Sequence, residues 1–249
     1  MKGGFLANRA AVAFLAIAIG AGASGATAAT AKPIRHLTYA FDVAISSDES
    51  VHASGIGGNG SGVTDYRGGY GDKGTISVDV LAVQPDTGLV VSISEAARQT
   101  RSANPATCVV YGGGSPICDT SAKINDEELT LLRLLGRTFI DESQIDAKHH
   151  WQLASESPTY SETNDFTIDR DQGGILDITG QRVIKVEGAR GYRATSNLQI
   201  TYDKNYVVPT LVKEDTVMRQ TEGMSKDNRI ETMTTLRLAS DSMARTATP

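Results

Sequence analysis

The chain has 249 residues, 40% of them hydrophobic and 21% charged, with a net charge of −5 and only two cysteines. No basic stripe runs along the sequence, which argues against a surface built for nucleic acid or anionic lipid headgroups. Nor is there a repeat of the length that builds a solenoid.

Residues 1–31 read as an export signal. Lys2 and Arg9 precede an apolar run from Ala10 to Ile19, and cleavage is expected after Ala28 or Ala31. The run is too short for a retained membrane span, so no transmembrane anchor is expected in the mature chain. The first cysteine is Cys108, far from the cleavage region, so the protein is not expected to be a lipoprotein. The expected location is therefore the periplasm or the medium. Removing the signal leaves 22 basic against 29 acidic residues, a net charge of −7. Residues 32–249 show no linker with a composition shift and read as a single β-rich domain.

That domain opens with a strand, in which Leu37, Tyr39, Phe41, Val43 and Ile45 alternate with mostly polar residues. From Gly55 to Gly74 there are nine glycines in twenty residues. The backbone entropy of so many glycines predicts a loop, or a weak edge hairpin. A hairpin follows, with Thr75–Val83 and Leu89–Glu95 as its arms and Gln84-Pro85-Asp86-Thr87-Gly88 as its turn.

Cys108 and Cys118 flank a further hairpin. With Gly112 to Gly114 as a three-residue loop they stand directly opposite each other, within reach of a disulfide. An oxidising compartment favours that bond over a metal site.

Residues 125–136 read as a helix. Asn125 is a good N-cap with Glu128 three residues on, Asp126 and Glu127 suit the positive end of the helix dipole, and Gly136 offers a stop. Leu129, Leu131, Leu132, Leu134 and Leu135 cover more than half of its circumference. A helix so apolar needs enclosure on several sides, as inside a curved sheet.

Weak strands are expected at 151–155 and 165–169, then at 175–179 and 182–187. The clearest pattern begins at Gly191. Tyr192, Ala194, Ser196, Leu198, Ile200 and Tyr202 alternate with Arg193, Thr195, Asn197, Gln199, Thr201 and Asp203. This is a strand with one face on a core and the other in water. Runs at about 206–219 and 229–239 follow after short connections, which fold consecutive strands into an antiparallel meander. The small polar residues 240–249 are expected to fray. The fold class is thus mainly β: a large curved antiparallel meander sheet, an incomplete barrel, wrapped around one short helix.

Few motifs carry chemistry. Gly55-Ile56-Gly57-Gly58-Asn59-Gly60 has dinucleotide-binding spacing, but no helical pattern follows to hold a pyrophosphate. Asp169 and Asp171 before two glycines resemble a calcium loop without its closing glutamate, so a hairpin turn is expected. The histidines are His36, His52, His149 and His150, and none has ligand spacing, so neither metal nor cofactor is expected. A transmembrane barrel is disfavoured because Lys213, Glu214 and Asp215 put charge on both faces of one strand.

A long antiparallel sheet curled around an apolar helix in an exported chain resembles the periplasmic lipoprotein-carrier and receptor superfamily. The likeness covers most of residues 32–249 in architecture, without a shared motif. It implies an incomplete barrel with a helical lid over an apolar cavity, holding a lipid or acyl chain. The residues expected to line that cavity are Leu37, Tyr39, Phe41, Leu129, Leu132, Leu198, Ile200 and Tyr202. No nucleic-acid partner is expected, and no protein partner is identified. The alternatives are a structural or interaction module of the envelope and, third, a hydrolase whose catalytic groups come from distant positions.

Overall fold

A computed structural model describes residues 32–54, 61–84, 88–97, 105–111, 116–119, 123–135, 139–140, 145–188, 191–222 and 226–243. The expected signal and the glycines of 55–60 lie outside the described residues.

The described residues form one open antiparallel sheet of eleven strands. In chain order these are β1 (Arg35–Ser54), β2 (Ser61–Gln84), β3 (Gly88–Ala97), β4 (Ala106–Val110) and β5 (Ile117–Cys118). After the helix α1 (Asp126–Arg133) come β6 (His150–Ser157), β7 (Tyr160–Gln172), β8 (Ile175–Val186), β9 (Tyr192–Asp203), β10 (Val208–Glu222) and β11 (Lys226–Asp241). Their order across the sheet is β5-β4-β3-β2-β1-β11-β10-β9-β8-β7-β6. Two meanders are therefore joined where the first strand pairs with the last, from Leu37 opposite Asp241 to Val51 opposite Lys226. The connection holding α1 runs from one edge strand, β5, to the other, β6.

The sheet bends around that helix. Asn125, at the helix N-cap, donates from Nδ2 to Glu95 on β3, while Arg133 at its last turn bonds Glu162 on β7. β3 and β7 are seven strands apart, roughly 34 Å along the sheet. The helix backbone between Asn125 and Arg133 rises only about 12 Å. Curvature brings both strands within reach. Along each strand the inward positions are Leu37, Tyr39, Phe41 and Val43 on β1, Ile76, Val78 and Val80 on β2, and Leu198, Ile200 and Tyr202 on β9. All are at most 6% exposed and belong to one packed core. Leu131, Leu132, Leu134 and Leu135 of the helix region fill its centre.

Local sequence explains most of the elements. The Asn125 backbone N–H donates to Glu128 Oε2 at 2.9 Å, which is half of a capping box and fixes the helix start. Cys108 pairs directly with Cys118, and the two form the disulfide that their spacing predicts. Gly173 and Gly174 both have positive φ and make the two-residue turn between β7 and β8, where Asp169 and Asp171 had resembled a calcium loop.

Four expectations need correction. Residues 61–74 are not loop: they belong to β2 and pair with β1 through Ser61 opposite Ser54. Backbone hydrogen bonds to a long neighbouring strand outweigh glycine's entropy there. β3 begins to pair only at Gly74, so this part of β2 is an edge, as the hairpin alternative expects. The two strands expected at 175–179 and 182–187 are one. Gly180 sits opposite Phe166, whose ring occupies the space a Cβ would need, 2.5 Å away. The helix ends at Arg133, with Leu134 as its C-cap, short of the expected 136. The frayed tail does not begin at 240, because Ser240 and Asp241 remain in β11 and the Asp241 carboxylate is held by Arg35, with Nε to Oδ1 at 3.0 Å.

Candidate functional site

The inner face of the sheet changes character along the strands. At one end lies the sealed apolar core. Seven of the eight predicted lining residues are part of it: Leu37, Tyr39, Phe41, Leu132, Leu198, Ile200 and Tyr202 are all 4% exposed or less. Leu129 is the exception, half-buried on the helix surface. The sheet and helix thus bring these side chains together, packed against one another and around Phe139. That ring makes edge contacts with Trp151 and Phe166 and a tilted contact with Tyr202. Burial pushes the Tyr39 and Tyr202 hydroxyls well above the usual tyrosine range. The Tyr39 hydroxyl donates to the Pro209 carbonyl at 2.9 Å.

Beyond the core runs a polar seam. Asn164, Arg182, Ser196 and Thr216 occupy one cross-strand row over β7 to β10. Glu214 Oε1 accepts from Arg182 Nη2 and, at 3.1 Å, from Thr216; its Oε2 accepts from the Thr130 hydroxyl of α1 at 2.8 Å. Beside it, Glu162 accepts from the Tyr160 hydroxyl, from Asn164 at 3.1 Å and from Arg133 at 3.4 Å. Burial raises the pKa of both glutamates, but arginine and the neutral donors outweigh it, leaving both carboxyls below the ordinary range. Arg182 Nε and Arg133 Nε are buried without a hydrogen-bond partner among the described residues. The seam docks the helix on the sheet and closes the core.

Past the seam the inward positions turn apolar again and stay half-open. Ile184, Ala194, Met218 and Ile230 form one row across β8 to β11, and Val186 with Tyr192 begins the next. All but Ala194 are only half-buried. Ile184 also stands opposite Glu162 on β7, the glutamate that Arg133 of the helix reaches. Their signal in the sequence was the same alternation that marks the core, carried on past the seam.

At the other end of α1 stands a group of carboxylates. Glu95, Glu128 and Asp72 are buried, and the Tyr70 hydroxyl donates to Asp72 at 2.8 Å. Burial and the neighbouring Glu95 push the pKa of Glu127 up to about 7.

The histidines lie apart from these features. His36 Nδ1 is 2.7 Å from Asp79 on the surface, while His150 lies between Asp146 and Asp165 at 3.9 and 3.6 Å. The His52 side chain lies outside the described residues. Among the described residues, no group of three or more His, Cys, Asp or Glu is placed to hold a metal ion. No described helix is long and apolar enough to cross a membrane.

Comparisons with known proteins place the chain near none of them in sequence. No protein-family model matches it, and no curated protein matches it. One solved structure is similar in fold, described as showing lipid–protein interactions in lipovitellin. It is 10% identical over 88% of this chain, with a TM-score of 0.45. The chain spans about a quarter (26%) of that protein's length.

Proposed function

We propose that this protein binds an apolar ligand, a lipid or acyl chain, without catalysis, on the inner face of its open sheet. The observation that carries the reading is the half-open strip of Ile184, Ala194, Met218 and Ile230, continued by Val186 and Tyr192. Apolar side chains on the concave side of a curved sheet, beside a sealed core and half-open, form a surface that an apolar molecule would bury. Leu37, Tyr39, Phe41, Leu132, Leu198, Ile200 and Tyr202 are then the packed base on which the strip is built, with Leu129 at its margin. The polar seam separates base from strip, so a ligand can come and go without opening the core. The intramolecular disulfide agrees with an exported protein in an oxidising compartment.

Native mass spectrometry of gently purified protein tests this, together with titration of a fluorescent fatty acid. Bound lipid, and probe binding weakened at least tenfold by Met218→Glu, is the expected result. Probe binding unchanged in Met218→Glu would remove the strip from the proposal, and no binding at all would end it.

A further inference from the structure

The outer face of the same sheet carries a feature that the linear sequence conceals. Arg193 on β9 faces Arg219 on β10, and Arg219 faces Arg229 on β11. Lys185 on β8 stands opposite Arg193 and extends the row to four cations on four neighbouring strands. Directly paired residues share a face, with their Cβ atoms about 5 Å apart, and like charges so placed destabilise a sheet. All four are exposed.

Among the described residues, ion pairs occur only at the ends of this row. Lys185 pairs with Glu187 at 2.5 Å, and Arg229 pairs with Glu231. Beyond Arg229 the row continues to Asp48, which itself pairs with Arg67 at 3.3 Å. Arg193 and Arg219, at the centre, form no ion pair among the described residues. Together with Arg229, Thr195 and Val217 they line an open depression of about 470 Å³.

We infer that this depression is a binding site for a small polyvalent anion of the phosphate class, such as pyrophosphate or a phosphate monoester. Three guanidinium groups spread over two strand spacings, roughly 10 Å, match the size of one such group, and arginine suits it because its fork bonds phosphate oxygens in pairs. Glu187, Glu231 and Asp48 bound the positive field on its flanks, so the row does not continue into a track for a long polyanion. The chain's net charge of −5 opposes adsorption to an anionic membrane. This site lies on the face opposite the apolar strip and stands independently of the lipid reading.

Thermal unfolding with and without inorganic pyrophosphate, at matched ionic strength, tests the site in the purified protein, in Arg193→Gln/Arg219→Gln and in the surface control Lys73→Gln. At a tenfold excess over Kd the wild type and the control should rise in Tm by about 3 °C, and the double variant should not. Without pyrophosphate the double variant should melt no lower than the wild type, because it loses only a repulsion. A lower melting point in the variant would make the arginines structural and overturn the inference. So would an equal response in all three proteins or no response in the wild type. Binding to phosphatidylglycerol vesicles without a response to pyrophosphate would overturn it in favour of a membrane surface.

Discussion

Removing one partner of the Arg182–Glu214 pair should cost more than removing both. The side chains are 9% and 4% exposed, so neither charge has water to turn to. In Arg182→Met, the Glu214 carboxylate keeps only hydroxyl donors: Thr130 at 2.8 Å, Thr216 at 3.1 Å and a bond from Ser196. In Glu214→Leu, the Arg182 guanidinium keeps Thr130 at 3.4 Å, the nearby Glu162 carboxylate and a buried, unpartnered Nε. Each single change should therefore destabilise the fold by about 3 kcal/mol, the cost of leaving a buried charge without its direct partner. The double variant replaces the pair with apolar groups of similar volume. Ser196 and Thr216 still bond each other at 2.8 Å, which uses one of their two protons, so Thr130 and one member of this pair lose the Glu214 acceptor. Its cost should be about 2 kcal/mol. Urea unfolding of the four proteins closes the cycle, with the coupling read as the departure from additivity. If the double variant loses as much as the two single variants together, the residues do not act as a pair and the seam does not hold the helix as described.

Two further outcomes follow from the same geometry. Glu127, with its folded pKa raised to about 7, is protonated in the native state where the unfolded chain is ionised. Native protein then binds the extra proton between about pH 4.5 and 7, so stability falls as pH rises through that window. Glu162 and Glu214, shifted the other way, give stability that is complete above the ordinary carboxylate range and is lost as pH falls through their lowered values. Melting temperature scanned against pH should therefore peak near pH 5. Glu127→Gln should flatten the alkaline side alone, and an unchanged slope there would contradict the assignment. Gly180→Val should destabilise by about 1–3 kcal/mol or more, since the added carbon falls 2.5 Å from the Phe166 ring. Gly173, with nothing within 4 Å of its own Cβ position, provides a steric contrast at which Gly→Asn should cost far less.

The long strands were legible because their alternation is local: Tyr192 to Asp203 states its own inner and outer faces. The disulfide was legible for the same reason, since a short hairpin fixes which two residues meet. Glycine's poor strand propensity hid the first half of β2. Its partner β1 supplies an ordered edge, and Gly68 to Gly74 need only present their backbones to it. The seam was hidden more deeply. Thr130, Arg182 and Glu214 lie 32 to 84 residues apart, and only the strand register sets them together. A polar residue at an inward position, such as Ser196 or Glu214, was the available sign. Glu214 between Lys213 and Asp215 shows charge on both faces of the strand but not which residue meets it. The outer arginines escaped for the same reason, because a row across strands leaves no stripe along the chain.

The half-open strip goes with a mismatch of lengths. Eight helical residues span about 12 Å, whereas β1, with 20 residues, extends roughly 66 Å. The helical residues described in the connection from β5 to β6 are too few to cover the whole inner face. Past the seam Ile184, Met218 and Ile230 keep the apolar pattern of the core, with Glu162 at one end of their row and Gln220, Asn228 and Glu49 in the next. An antiparallel sheet facing water on that side would gain solubility from polar residues there, as β9 does on its outer face with Asn197 and Gln199. A half-open apolar row of this kind is the surface that the proposed ligand would bury.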